Sequence, residues 1–213
     1  MRNALFRLFL IAGLHGAALA QPSERSAALA AIAAADPAAR VHAALALARS
    51  GEMQDVPALL ERLREDDAPL VRGLAERAIW AIWSRSGDDA TDALLARGVA
   101  EMQGGELDAA VATFTQVIER RPDFAEGWNK RATALFLRGD YRRSLADCDE
   151  VMRRNPYHFG ALAGYGQIYL RLGEDRKALE HLRRALALNP TMEGVRALVE
   201  ALEARLRAQK RVI

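Results

Sequence analysis

Residues 128–156 have the sequence WNKRATALFLRGDYRRSLADCDEVMRRNP, and the architecture can be predicted from the pattern in this stretch. Gly139 divides it into two segments with apolar residues at helical spacing, and Pro156 ends the second segment. Proline lacks a backbone N–H and clashes in a helix interior, whereas glycine readily adopts the left-handed conformation that ends a helix. The stretch therefore predicts two antiparallel helices joined by a tight turn.

The same pattern recurs on both sides of this stretch at a spacing of 34 residues. The spacing holds for the two kinds of residue that end helices, which are Pro122, Pro156 and Pro190, and Gly105, Gly139 and Gly173. It also holds for small residues that allow two helices to approach closely, which are Gly98, Ala132 and Gly166, and Ala110, Ser144 and Ala178. A single helical hairpin cannot bury its apolar face alone, so the three units are predicted to stack.

This pattern resembles the tetratricopeptide repeat, whose order over 34 residues is Trp, Leu-Gly, Tyr, Gly, Ala, Phe, Ala and Pro. The resemblance covers residues 91–124, 125–158 and 159–192. It implies an all-α fold, a right-handed α-solenoid of helical hairpins. Arg131 stands where the family has leucine, and a partly buried arginine needs an acidic partner, for which Asp147 or Asp149 is suitable.

Further helices are predicted on both sides of the repeats. After the repeats, residues 193–213 have apolar residues at helical spacing and resemble the capping helix of a solenoid. Before them, residues 21–90 resemble HEAT-type helical hairpins and are expected to stack as a cap on the first repeat. In this region Asp36, Asp55 and Asp67 each precede a proline by one or two residues, and all three are predicted to cap helices. Trp80 and Trp83 are predicted to lie in the core where this region meets the repeats.

Residues 1–20 have the pattern of a secretory signal peptide. Arg2 and Arg7 supply positive charge, residues 8–14 are apolar, and Ala-Leu-Ala at 18–20 is a cleavage site before Gln21. The pattern predicts a mature protein in the periplasm of a bacterium. The alternative is a subunit of an inner-membrane assembly that is anchored by an uncleaved N-terminal helix.

Charge and composition argue against several classes of function. The net charge of +2 becomes zero without Arg2 and Arg7, which argues against a general nucleic-acid binder. The single cysteine, Cys148, excludes an intrachain disulfide, and it is predicted to be a buried, unreactive thiol. The four histidines are scattered without metal-binding spacing. We therefore predict no catalytic site, metal or cofactor, with an enzyme of unrecognised type as a further alternative.

The family resemblance implies that the first helix of each repeat lines a concave groove that binds a peptide or a partner protein. The groove residues that it implies are Leu95, Val99, Met102, Asn129, Thr133, Phe136, Gln167, Leu170 and Arg171. Family members that bind chaperone tails hold a terminal carboxylate with Lys, Asn and Arg, and this clamp is missing here. The corresponding positions are Leu95, Val99, Lys130, Gly160 and Gly164. We therefore expect an interaction module that binds a segment with spaced apolar side chains, with Phe136 and Arg171 as its anchors.

Overall fold

The computed structural model describes residues 23–211, and within this range the chain is helical, with no strand. A short 3₁₀ turn at Met53–Asp55 precedes α3. The helices are α1 (Glu24–Ala31), α2 (Pro37–Ser50), α3 (Val56–Glu65), α4 (Pro69–Trp83), α5 (Asp89–Gln103), α6 (Leu107–Arg120), α7 (Ala125–Arg138), α8 (Tyr141–Arg154), α9 (Phe159–Arg171), α10 (Asp175–Leu188) and α11 (Glu193–Arg211).

The six helices α5 to α10 form three antiparallel hairpins, which confirms the solenoid fold predicted from the 34-residue period. The turn inside each hairpin contains one glycine with a positive φ: 81° at Gly105, 88° at Gly139 and 74° at Gly173. A side chain is strained in this conformation, so glycine is required there. The two helices of each hairpin therefore reverse direction at equivalent positions.

Small residues bring the two helices of a hairpin into contact, as the sequence predicts. A Cβ atom on Gly98 would lie 2.5 Å from the ring of Phe114, and one on Gly166 would lie 2.4 Å from Leu182. In the middle hairpin, the Ser144 hydroxyl donates a 2.7 Å hydrogen bond to the carbonyl oxygen of Ala132. Larger side chains at these positions would separate the helices.

Arg131 has the acidic partner that the sequence predicts. Its guanidinium donates two hydrogen bonds of 2.8 Å to the carboxylate of Asp147 on α8, and a third of 3.1 Å to Thr115 on α6. Asp149, the other candidate, instead accepts a hydrogen bond from the Tyr165 hydroxyl on α9. The Arg131–Asp147 pair joins the two helices of the second repeat, whereas the bonds to Thr115 and Asp149 each join neighbouring repeats.

Helix α11 covers the last repeat, as the resemblance to a capping helix implies. Val195, Val199 and Leu202 are buried in one apolar cluster with residues of α9 and α10. The opposite face of α11, which includes Arg196 and Glu200, is exposed. The apolar side of the last repeat is therefore shielded from water.

The N-terminal helices α1 to α4 have their own apolar core and two ion pairs with a buried acidic partner. Arg40 donates hydrogen bonds of 2.6 and 2.9 Å to Asp66, and Arg25 donates bonds of 2.7 and 2.8 Å to Asp55. Burial disfavours ionisation of both carboxylates, but the arginine hydrogen bonds lower the pKa of each below its usual value. These pairs connect helices that are distant in sequence.

Of the three helix caps predicted in this region, Asp36 and Asp55 are confirmed at the N-cap positions of α2 and α3, and Asp67 is wrong. Asp36 caps α2 by accepting a hydrogen bond from the Ala38 N–H. Asp55 precedes α3 but makes no side-chain cap, because its carboxylate is used by Arg25 and by the backbone N–H of Glu52. Ala68 is the residue before α4, and Asp66 rather than Asp67 accepts from its N–H.

The N-terminal helices do not stack on α5 as a further layer, contrary to the sequence-based expectation. Helix α4 instead lies along the three inter-repeat turns at residues 121–124, 155–158 and 189–192, which we call the turn edge. Its C-terminal end is near the first turn, Trp80 and Trp83 contact the second, and Glu76 bonds to the third.

Trp80 and Trp83 form the junction between α4 and the repeats, which confirms their predicted place in the core where the two regions meet. Their rings lie 5.2 Å apart, and they contact Phe159 at 5.3 and 4.9 Å. Phe159 belongs to the same buried cluster as the core of α1 to α4. The N-terminal helices are therefore attached along the turn edge of the repeat array, with the two tryptophans at its second turn.

The predicted signal peptide at residues 1–20 lies outside the described residues. Among the helices within residues 23–211, none is both long enough and apolar enough to cross a membrane.

Candidate functional site

A narrow cleft lies between α7 and α9, the first helices of the second and third repeats. Its volume is about 60 Å³. We call it the α7–α9 cleft, and its lining residues are Asn129, Ala132, Thr133, Phe136, Ser144, Cys148, Gly160, Ala161, Gly164, Gln167 and Ile168. Pockets for small molecules have volumes of roughly 300–1,000 Å³. The cleft is therefore suited to a single side chain of a longer segment that lies across it.

Four of the predicted groove residues line this cleft: Asn129, Thr133, Phe136 and Gln167. Thr133 and Gln167 are exposed, and Phe136 is half-buried. A fifth, the exposed Arg171, has its guanidinium carbon 6.0 Å from the centre of the Phe136 ring. The structure thus brings the two predicted anchors together as an aromatic–cation pair beside the cleft.

Two glycines in α9 line the cleft, and Gly164 keeps it open. A Cβ atom on Gly164 would find its nearest neighbour, the Cys148 sulfur, at 3.8 Å. Gly160 lies one turn earlier, where the cleft meets Trp80, and a Cβ atom there would lie 2.7 Å from the Trp80 ring. Because Gly164 has no side chain, it leaves space in the cleft that the side chain of any other residue would fill.

Cys148 lies in the floor of the cleft and is 2% exposed, as predicted for a buried thiol. Burial raises its pKa to about 12, and the neighbouring Asp147 and Asp149 act in the same direction. The thiolate is the nucleophilic form of cysteine, so this side chain is unreactive at neutral pH.

The other four predicted groove residues lie away from the cleft. Leu95 is buried at 7% exposure, and Val99 and Met102 pack against the same apolar cluster of α5, α6 and α7. Leu170 packs against the cluster that α9 and α10 share with α11. The helical stripes that they occupy face neighbouring helices, so their main contribution is to packing.

The sequence predicts Gln167 on the α9 side of the cleft but not the three small residues that line it there, which are Gly160, Ala161 and Gly164. Gly160 and Gly164 stand at positions of the missing carboxylate clamp. Their spacing is the signal that could have identified them, because residues at i, i+4 and i+7 share one helix face.

A buried polar network holds one end of the cleft in place. The Asn129 amide donates a 3.1 Å hydrogen bond to Glu126, whose other carboxylate oxygen lies 2.9 Å from the Lys130 nitrogen. The Nδ1 atom of His158 accepts from the Ala161 N–H, so its ring proton is on Nε2, which lies 3.0 Å from Glu126 and donates to it.

Glu126 remains ionised in this network although it is 1% exposed. Burial opposes ionisation, but the hydrogen bond from His158 and the positive charge of Lys130 lower the pKa of Glu126 below its usual value. His158 in turn stacks on Trp83, with ring centroids 4.5 Å apart. The network therefore connects the cleft to the turn edge.

Within the described residues, no group of three or more histidine, cysteine or acidic side chains is arranged to hold a metal ion. The features of the cleft that are suited to binding are its shape, the space beside Gly164 and the Phe136–Arg171 pair.

Comparison with known families identifies the repeats. Two models described as tetratricopeptide repeat match the chain, one at residues 73–123 and 95–157 and the other at residues 135–206. Together these matches cover more than half of the chain. The chain belongs to the tetratricopeptide repeat family. In this tetratricopeptide repeat protein, the first match begins within α4, so part of the N-terminal region also fits the family pattern.

Curated relatives agree with this assignment. A TPR repeat-containing protein of Rhizobium etli is 31% identical over 157 residues, which are 72% of this chain and 77% of that protein. The Hsp70-Hsp90 organizing protein of Triticum aestivum is 27% identical over 106 residues, 50% of this chain but 18% of that protein.

Solved structures share the fold of this tetratricopeptide repeat protein. The first TPR of Spaghetti (RPAP3), bound to the HSP90 peptide SRMEEVD, has a TM-score of 0.53 at 20% identity and covers 55% of this chain and 93% of that chain. The Sgt2 TPR domain from Aspergillus fumigatus has a TM-score of 0.55 at 17% identity, and the match covers 58% of this chain and 83% of that chain. At these identities the likeness concerns the fold alone.

Proposed function

We propose that this tetratricopeptide repeat protein is a non-enzymatic interaction module that binds a segment of a partner protein across the α7–α9 cleft. The observation that carries the proposal is the open cleft with Phe136 and Arg171 beside it. Aromatic and arginine side chains often contribute most of the binding energy of an interface. One of the solved neighbours, the first TPR of Spaghetti, is bound to a peptide, which supports a peptide as the ligand class.

The chemistry of the cleft favours an apolar segment over an acidic C-terminal tail. The positions where chaperone-tail binders have their clamp include Gly160 and Gly164 here, which provide no positive charge. Of the three polar side chains that α7 and α9 contribute, Asn129 is already bonded to Glu126, Thr133 donates to the Asn129 carbonyl oxygen, and Gln167 is exposed. The bound segment therefore inserts one small apolar side chain beside Gly164, and Arg171 contacts its polar backbone or an acidic neighbour.

The test uses peptides selected from a random displayed library against the full chain, with affinities measured by calorimetry. Truncation of an anchor, Phe136→Ala or Arg171→Ala, is expected to weaken binding by about 1–3 kcal/mol. Leu137 and Leu172 are matched controls, because each follows an anchor in sequence, is exposed (53% and 45%) and does not line the cleft. Leu137→Ala and Leu172→Ala are expected to change binding by less than about 0.5 kcal/mol.

Thermal melting of each variant separates loss of binding from loss of folding. Equal affinity of all four variants, in proteins that melt like the parent, would place the binding site elsewhere on the molecule. An affinity loss in the control variants equal to that in the anchor variants would also contradict the proposal.

We propose further that the module acts in the bacterial cell envelope, as a scaffold in the periplasm. The support is the signal-peptide pattern of residues 1–20 with Ala-Leu-Ala before Gln21. N-terminal sequencing of the protein from fractionated cells tests this: the expected result is a chain that begins at Gln21 in the periplasmic fraction. An intact Met1 in the membrane fraction would favour the anchored subunit, and an intact Met1 in the cytosol would contradict export.

A further inference from the structure

A second cavity, of about 260 Å³, lies on the turn edge where the C-terminal end of α4 faces the first two inter-repeat turns. Trp83 and Asn155 line it, and they are 3% and 1% exposed. Among the described residues, the Trp83 Nε1 and Asn155 Nδ2 donors are buried without a hydrogen-bond partner. A buried donor without an acceptor lowers the stability of the fold, so two of them in one cavity indicate a missing acceptor.

The orientation of the Asn155 amide is fixed by the turn. Its carbonyl oxygen accepts a 3.2 Å hydrogen bond from the backbone N–H of Tyr157. Because this bond occupies the oxygen side of the amide, the NH₂ group is the side that remains available.

The next inter-repeat turn shows what such an amide binds. Asn189 is the equivalent residue 34 positions later, and its carbonyl oxygen accepts from the Thr191 N–H in the same way. Its NH₂ group donates a 2.9 Å hydrogen bond to a carboxylate, that of Glu76 on α4, and the Thr191 hydroxyl donates to the other oxygen at 3.1 Å.

Helix α4 provides a carboxylate at one turn and none at the other. Trp83 follows Glu76 by seven residues, which is two helical turns or about 10 Å. Packed helices lie about 8–10 Å apart, so the two residues face consecutive repeats. At the Asn189 turn the chain satisfies the amide with its own Glu76, and at the Asn155 turn it presents a further N–H donor, Trp83.

The charge of the cavity favours an anion. Arg121 is paired with Asp123 at 3.2 Å, and Arg154 is paired with Glu150. Arg85 also lines the cavity, and its described hydrogen bonds go to the uncharged carbonyl oxygens of Ala48 and Gly51. A net positive charge therefore remains beside the two buried N–H donors.

We propose that this cavity, the Asn155 pocket, binds a carboxylate group supplied from outside the chain, with Asn155 and Trp83 as hydrogen-bond donors and Arg85 as the uncompensated charge. It is a second binding site, on a different part of the molecule from the α7–α9 cleft. The carboxylate belongs to a small organic acid, an acidic side chain or a chain terminus.

The test follows the indole N–H signals of the full chain by NMR during titration with N-acetylalanine. The expected result is a saturable downfield shift of the Trp83 signal, which is assigned by its loss in Trp83→Phe. The Trp128 indole is an internal reference, because it already donates to the Pro122 carbonyl oxygen at 3.1 Å. Its signal is expected to remain in place.

Three probes separate the chemistry of the ligand. N-acetylalanine presents a terminal carboxylate, the α-amide of N-acetylglutamic acid presents a side-chain carboxylate, and N-acetylalanine amide presents neither. A response to either acid with none to the neutral amide supports the proposal and shows which source is accepted. The absence of saturation with both acids, or an equal response to the neutral amide, would overturn it.

Two variants test the assigned donor Asn155 and the assigned charge of Arg85. Asn155→Asp keeps the acceptor for Tyr157 but replaces the donor by a like charge, and it is expected to weaken binding of N-acetylalanine at least about tenfold. Arg85→Gln, which retains an amide donor, is expected to weaken binding several-fold and keeps the test usable if Asn155→Asp does not fold.

Arg153→Gln is the control, because it removes a neighbouring charge from an exposed residue that does not line the pocket. Binding to this variant is expected to be unchanged. An equal loss in Arg85→Gln and Arg153→Gln would show a general charge effect and would contradict a specific site.

Discussion

The turn edge and the α7–α9 cleft are two surfaces of the same repeat array, and they differ in what covers them. Helix α4 covers the turn edge, with Trp80 and Trp83 against Phe159 and with Glu76 bonded to the third turn. Within the described residues, no comparable helix lies over the cleft beside Gly164. The chain thus uses one surface to hold its own N-terminal helices, and within the described residues it leaves the other uncovered.

The largest effect is expected where α4 is attached to the repeats. Trp83→Ala removes a 3% exposed side chain that contacts both His158 and Phe159. We expect the free energy of unfolding to fall by about 3–5 kcal/mol in urea denaturation. Trp128→Ala is the control, because Trp128 is half-buried and its ring packs against arginine side chains, and its expected cost is smaller. An equal fall in the free energy of unfolding in Trp83→Ala and Trp128→Ala would show that the contacts of α4 add little to the stability of the array.

Two glycines one turn apart in α9 provide a sharper comparison of the covered and open surfaces. Gly160→Ala places a Cβ atom 2.7 Å from the Trp80 ring, which its aromatic neighbours hold in place, and it is expected to destabilise by about 1–3 kcal/mol. Gly164→Ala has space for its Cβ atom and is expected to stabilise the helix by about 0.5–1 kcal/mol.

Gly164→Ala is also expected to weaken peptide binding, because its methyl group fills part of the cleft. Denaturation and calorimetry on the same two variants check both effects. If Gly160→Ala and Gly164→Ala both stabilised or both destabilised the protein, the result would contradict a covered surface at Gly160 and an open one at Gly164.

A smaller effect is expected in the pH dependence of stability, through the network between the two surfaces. The pKa of Glu126 is lowered in the folded chain from a usual value of 4.5. Its contribution to stability is therefore complete above that value and is lost as the pH falls toward the folded pKa. Denaturation between about pH 3 and pH 5 is expected to show a smaller loss of stability in Glu126→Gln than in the parent. If the stability of Glu126→Gln and of the parent depended on pH in the same way, Glu126 would have the same pKa in the folded and unfolded chains, which would contradict this expectation.

The repeat array could be predicted from the sequence because its contacts are periodic. The spacing of 34 residues places Gly98, Ala132 and Gly166 against the second helices. The same register predicts that Arg131 pairs with Asp147 or Asp149, and its partner is Asp147. Neighbouring repeats contact each other through equivalent positions, so one unit indicates the packing of the next.

The position of α4 could not be predicted in this way. Its bond from Asn189 to Glu76 joins residues 113 positions apart, and no local pattern encodes such a contact. The sequence placed Trp80 and Trp83 in a core but suggested that they pack on the first repeat. The actual partner, Phe159, begins the third repeat.

The predicted groove residues lie only partly in the cleft, and the reason is structural. Thr133, Phe136 and Gln167 lie in the cleft because the family register correctly gives the exposed stripe of α7 and α9. Leu95 does not, because the same stripe of α5 packs into the core with α6 and α7. The two unsatisfied donors of the Asn155 pocket come from different parts of the fold, so sequence spacing gives no indication of them.

We propose that this protein binds its partner at the open surface of the array, the α7–α9 cleft. NMR chemical-shift mapping of the backbone amides with a library-selected peptide tests this directly. We expect the largest shifts at Thr133, Phe136, Gly164 and Gln167, with small shifts at residues 121–124 and 189–192 of the turn edge. Large shifts at the turn edge, with none in the cleft, would contradict it.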